Sequence, residues 1–153
     1  MRAQSMISEI FDGMGSAVTG IDIEFTDYID GRKKYCQIKS GPNTINKDDV
    51  VTVKDHFKGI KNLARTNALQ IGIGDLIVGV LYGTPGDLSG HYLKIEQEYP
   101  VYIGAEFWHR LTGQTDFYFQ LIAAIGEVAL DIDGREKLEA AIVALAAEIK
   151  GAF

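Results

Sequence analysis

Gly20-Ile21-Asp22-Ile23-Glu24-Phe25-Thr26 and Tyr35-Cys36-Gln37-Ile38-Lys39 are the two stretches whose reading decides the fold. Each alternates apolar with polar residues, the period-two pattern of a strand with one buried face. In the first, Ile21, Ile23 and Phe25 point one way, and Asp22 and Glu24 the other. In the second, Cys36 and Ile38 oppose Tyr35, Gln37 and Lys39. Asp30-Gly31-Arg32 between them is a turn signal, so residues 20–40 are predicted to form a β-hairpin. On its polar face Asp22, Gln37 and Lys39 come together, because residues two apart share a face and pairing aligns neighbouring strands. The same spacing also suits a solvent-exposed face carrying a simple ion pair.

Upstream, Met6, Ile7, Ile10, Phe11 and Met14 form a helical stripe that ends in a turn containing Gly13 and Gly15. Downstream, Gly41-Pro42-Asn43 breaks the chain, and Asn46 is placed to cap a helix over 47–66 with Asp48 and Asp49 in its first turn. Val50, Val53, Phe57, Ile60 and Ala64 make its buried stripe. Lys47, Lys54, Lys58, Lys61 and Arg65 recur on another face of it. Leu76 to Tyr82 is continuously apolar between glycines, as in a central strand covered on both faces. Strands at 91–95 and 99–103 are expected to form a second hairpin, followed by helices at 104–112, 115–130 and 134–150. The order αββαβββααα predicts an α/β sandwich: a mixed central sheet flanked by helices, with a helical C-terminal tail.

The 153 residues are most simply one domain, with a core of ordinary size. No apolar run approaches a membrane span. Cys36 is the only cysteine, which excludes an intrachain disulfide framework and a zinc site built on cysteines, and makes a reducing cytoplasm the expected compartment. Net charge is −6, yet nine Lys/Arg face only three acids between Arg32 and Arg65. A basic island on an acidic body is the asymmetry of a protein that meets a polyanion on one face. His56, His91 and His109 lack metal-ligand spacing and read as ordinary surface or interface histidines.

With the Gly20–Phe25 strand, the Gln37-Ile38-Lys39 run continued by S-G-P-N (Ser40 to Asn43), and the helix directly after it, the sequence resembles the PD-(D/E)XK nuclease superfamily. Within it, the sequence is similar to type II restriction endonucleases that carry S-G-P-N after the catalytic lysine. The likeness covers roughly residues 5–83 and implies a restriction-endonuclease-like core (αββαβ). It further implies a Mg²⁺-dependent endonuclease that hydrolyses double-stranded DNA and acts as a homodimer. On this resemblance Asp22 is the metal-ligating carboxylate, the Ile38 carbonyl faces the ion, and Lys39 orients the attacking water. Gln37 stands where the family pattern carries an acid, which leaves one fewer anionic ligand. Glu9, at the flank of the first helix, is the candidate to complete the metal site, with a solvated helix charge as the alternative. Lys47, Lys54, Lys58 and Lys61 would contact phosphates. Ser40, Asn43, Thr44 and Asn46 either touch DNA or only form the turn and cap. The chain is short for that group, so a recognition portion N-terminal to this core is expected to be missing from it. Two other readings stay open: a catalytically silent nuclease fold that binds DNA, and a repair or recombination nuclease on the same core.

Overall fold

The computed structural model describes residue 11, residues 13–68 and residues 70–129. Apart from Phe11, the first predicted helix, Glu9 within it, and the predicted helix at 134–150 lie outside the described residues.

The hairpin forms as its alternation requires. Strand β1 (Ile23–Thr26) pairs antiparallel with β2 (Lys33–Lys39), Ile23 opposite Cys36 and Thr26 opposite Lys33. Helix α1 (Lys47–Thr66) then returns the chain so that β3 (Leu76–Val80) lies parallel to β2, Tyr35 opposite Leu76 and Lys39 opposite Val80. A short helix α2 (Gly90–Glu96) leads to β4 (Val101–Ile103), parallel to β3, and α3 (Ala105–Thr112) and α4 (Phe117–Ala129) complete the described chain. The result is a four-stranded mixed sheet in the order β1-β2-β3-β4.

Both faces of the sheet are buried. Ile23, Phe25, Cys36, Ile38 and Ile77 pack against Phe107, Trp108, Leu111, Phe117 and Leu121 of α3 and α4. Leu76, Val78 and Val80 pack on the other face against Val50, Val53, Phe57 and Ile60 of α1, with Tyr92 and Ile95 of α2. Between the layers, Gly79 leaves room for Phe107: a Cβ there would stand 2.2 Å from the ring. Gln37 of β2 therefore sits beneath a helix rather than in solvent, only 5% exposed.

Two expectations are corrected. Residues 91–95 form a helix, not the first strand of a hairpin. Tyr92 and Ile95, three apart, are both fully buried, and that spacing shares a face only in a helix. A helix there also supplies the crossover that a parallel β3–β4 pair needs. Ile21 joins the α1-side core rather than that of Ile23 and Phe25. Gly20 takes a positive φ of 86°, which breaks the alternation before β1 begins.

Candidate active site

Asp22 is fixed by the local backbone. Its N–H donates to the Cys36 carbonyl at 3.0 Å, and its Oδ2 accepts the Ile38 N–H at 2.7 Å. In β2 the N–H of Tyr35 faces the β3 side, donating to the Asp75 carbonyl. The amides of Cys36 and Ile38 therefore face β1, and the Asp22 carboxylate occupies the place where a ladder partner would accept. Asp22 is half-buried beside the Gln37–Lys39 run.

Gln37, beneath α1, has its carboxamide Nε2 3.3 Å from Nδ1 of His56 on that helix. The imidazole is also seated against Gly20, where a Cβ would come within 2.6 Å of its ring. His56, read from sequence as an ordinary surface or interface histidine, is half-buried and in contact with Gln37 and the Gly20 segment. The available signal was its place on the flank of the stripe formed by Val53, Phe57 and Ile60. Glu24, on the same side of β1 as Asp22, is engaged elsewhere: Lys33 lies 2.8 Å away and the Ser16 hydroxyl donates to it.

The Ser40–Asn46 loop is held from within. Thr44 Oγ1 donates to the Gly41 carbonyl at 2.9 Å, and the Tyr92 hydroxyl donates to the same oxygen at 2.8 Å. Burial pushes the Tyr92 hydroxyl up to about 12. Asn46 and Asp49 exchange reciprocal capping bonds at the start of α1, at 3.0 and 2.8 Å. Thr44 and Asn46 are therefore occupied in turn and cap, whereas Asn43 is exposed and Ser40 half-buried.

The basic island divides in the folded chain. Arg32 grips Asp75 through two bonds of 2.9 and 2.6 Å, and Lys34, 3% exposed, lies 2.7 Å from Asp30. Arg110 binds Asp27 at 2.8 Å from α3. These pairs form a network around the buried Asp27, Lys34 and Asp75 at the end of β2 remote from Lys39. Of the helical lysines, Lys54 reaches Glu98 at 3.4 Å and Lys61 lies over the Tyr99 ring at 4.4 Å. Lys47 and Lys58 are exposed. At about 100° per residue, His56 is roughly half a turn around α1 from Lys47, Lys54 and Lys58. The structure gathers Asp22, Gln37 and Lys39 on one stretch of sheet, but sets the lysine stripe on the other flank of the helix.

Among the described residues no three His, Cys, Asp or Glu side chains gather as a metal cluster. Among the described residues the oxygen donors, the Asp22 carboxylate just before β1 and the Gln37 carboxamide on β2, suit a hard cation that keeps several of its waters.

A mixed sheet with helices on both faces, bearing a carboxamide and a lysine on its second strand and a carboxylate just before its first, has the restriction-endonuclease-like architecture. The family model described as Type II restriction endonuclease EcoO109I matches residues 3–133. The chain belongs to that family, whose enzymes hydrolyse DNA. Among curated proteins none matches the chain. No helix among the described residues is long and apolar enough to cross a membrane.

Proposed function

We propose that the chain is a Mg²⁺-dependent endonuclease of PD-(D/E)XK type that cuts double-stranded DNA with Asp22, Gln37 and Lys39. The observation that carries this reading is the 2.7 Å bond from the Ile38 N–H to the Asp22 carboxylate. It ties that carboxylate to the strand bearing the other two groups. Asp22 and the carboxamide oxygen of Gln37 would hold the cation. The Ile38 carbonyl is a third donor, since N–H and C=O of one strand residue leave toward the same neighbour. A bound Mg²⁺ would offset the charge that builds on the phosphate and ease deprotonation of a water. Lys39 orients the attacking water and stabilises the crowded phosphorus centre. The water oxygen bonds to phosphorus as one ester P–O bond breaks, without a covalent enzyme intermediate.

Glu9 remains the proposed further carboxylate. Phosphate contacts are assigned to Lys47, Lys54, Lys58 and Lys61, with Ser40 and Asn43 toward the DNA. Homodimerisation through the C-terminal helices is part of the proposal, and Phe119 on α4, 63% exposed, is an apolar group available to it. Light scattering that finds only monomer at high concentration contradicts the dimer.

The test is cleavage of plasmid DNA with Mg²⁺, alongside Asp22→Asn and Lys39→Ala. Discrete fragments made by the unaltered chain and lost in both variants support the reading. DNA binding without cleavage by the unaltered chain would instead identify a silent nuclease fold. Cutting that requires a junction would point to a repair nuclease.

A further inference from the structure

A glutamate at position 37 would offer two equivalent oxygens to a cation, whichever way its carboxylate turned. A glutamine offers one, because its other arm is an NH₂ that donates and cannot ligate. A half-turn about the last side-chain bond exchanges them. A glutamine ligand therefore needs something that a glutamate does not: a partner that distinguishes nitrogen from oxygen.

His56 meets that requirement. The Gln37 Nε2 faces His56 Nδ1 at 3.3 Å, so an imidazole with its Nδ1 lone pair free accepts from the amide and repels the amide oxygen. The ring is itself held. Its helix position lies beside Val53 and Ile60, both buried. On the far side, Gly20 leaves the space that the ring uses, since a Cβ there would meet Cγ and Nδ1 at 2.6 Å. Gly20 is two residues before Asp22, so one imidazole touches both the segment that delivers Asp22 and the side chain of Gln37.

We infer that His56 is a positioning residue: it holds the amide nitrogen of Gln37 and thereby keeps Oε1 turned away from α1 as a cation ligand. This rests on the reading of Asp22, Gln37 and Lys39 as the cleavage site. The imidazole touches neither DNA nor cation and acts only through Gln37.

The deciding experiment is Mn²⁺ binding to the full chain, followed by the spin-resonance signal of the free ion, for four proteins: unaltered, His56→Phe, Gln37→Glu and the double variant. Phenylalanine keeps a ring against Gly20 and removes the acceptor, and thermal melting checks that each protein is folded. His56→Phe is expected to weaken Mn²⁺ binding about fivefold to tenfold, the effect of losing one hydrogen bond. In the Gln37→Glu background the same change should not weaken it, since a carboxylate has no wrong way round. In DNA cleavage, the Mg²⁺ concentration for half-maximal rate should rise while the rate at saturating Mg²⁺ changes less than about twofold. Unchanged Mn²⁺ affinity in folded His56→Phe overturns the inference, and so does equal weakening in both backgrounds. If the unaltered chain binds no Mn²⁺, the cation-site reading fails and takes this inference with it.

Discussion

The carboxylate of Asp22 accepts the backbone N–H of Ile38 at 2.7 Å, which fastens that acid to the middle residue of the Gln37-Ile38-Lys39 run. Its two substitutions should therefore part company. Asp22→Asn keeps an oxygen acceptor for the Ile38 N–H and loses the charge. Cleavage should fall by roughly 100-fold or more, while stability changes by less than about 1 kcal/mol. Asp22→Ala should lose activity equally and also leave that N–H unpaired, at a cost of about 1–3 kcal/mol. Denaturant melts of the two variants check this, and equal stabilities would show that the bond does not matter to folding.

Adjacent lysines on β2 offer a second contrast. Lys34 is 3% exposed, with Asp30 at 2.7 Å, Asp75 at 3.7 Å and Asp27 at 4.0 Å. Lys33 pairs with Glu24 but is 57% exposed. Removing a buried partner leaves charge uncompensated, so Lys34→Met should destabilise by about 3 kcal/mol or more. The Lys33 pair is screened by water, and Lys33→Met should cost less than about 1 kcal/mol. Chemical denaturation separates the two, and equal effects would mean that the network contributes nothing beyond its packing.

Strand periodicity carried the reading from Asp22 to Lys39, and helical periodicity the reading of α1, because both are repeats in one chain segment. What those repeats leave out is where the second face goes. The strand pattern leaves open whether Gln37 faces a cleft or solvent until α1 is laid over it, and only then does His56 acquire a partner. The basic island read as a single surface feature, yet Arg32 and Lys34 spend their charge on Asp75 and Asp30. Asp75 is more than forty residues away, a distance that no charge count over a window can see. The segment at 91–95 misled for a different reason: a seven-residue element is too short for its period to declare itself, and Tyr92 with Ile95 became decisive only once their burial was known.

Acid should weaken the fold through Asp75. Hydrogen bonding to the Arg32 guanidinium, despite opposing burial, holds its carboxyl below the usual carboxylate value. The folded state therefore binds that proton less readily than the unfolded state does. The resulting stability is fully present above the unfolded value of about 3.9 and is lost as pH falls through the lower folded value. For Asp30 burial is the largest single influence and raises the value, but the bonds from Lys34 and the Arg32 amide, with the charges of Lys34 and Arg110, together outweigh it and shift it in the same direction as Asp75. The melting temperature should hold between neutrality and about pH 5, then drop as the pH falls below about 4. Asp75→Asn should be less stable at neutral pH and show a shallower decline in acid. A variant that keeps the full acid dependence would move the origin of that decline to other carboxylates.

DNA affinity should reveal which lysines of α1 reach phosphate. Each phosphate contact contributes about one unit to the slope of log affinity against log salt. Lys47 and Lys58 are exposed, so Lys47→Ala and Lys58→Ala should each lower the slope by about 1. Lys54 already lies 3.4 Å from Glu98, and a charge so compensated attracts fewer phosphates. Its removal should change the slope by less than half as much as that of Lys58. Lys61, seated over the Tyr99 ring, should fall between them, because the ring leaves its charge intact but fixes its position. Fluorescence anisotropy of a labelled duplex in Ca²⁺, at several salt concentrations, measures all four. The stripe stands on the flank of α1 away from His56, so an unchanged slope in every variant would mean that DNA approaches Asp22 from the Gly20 side, with its phosphates held by other residues.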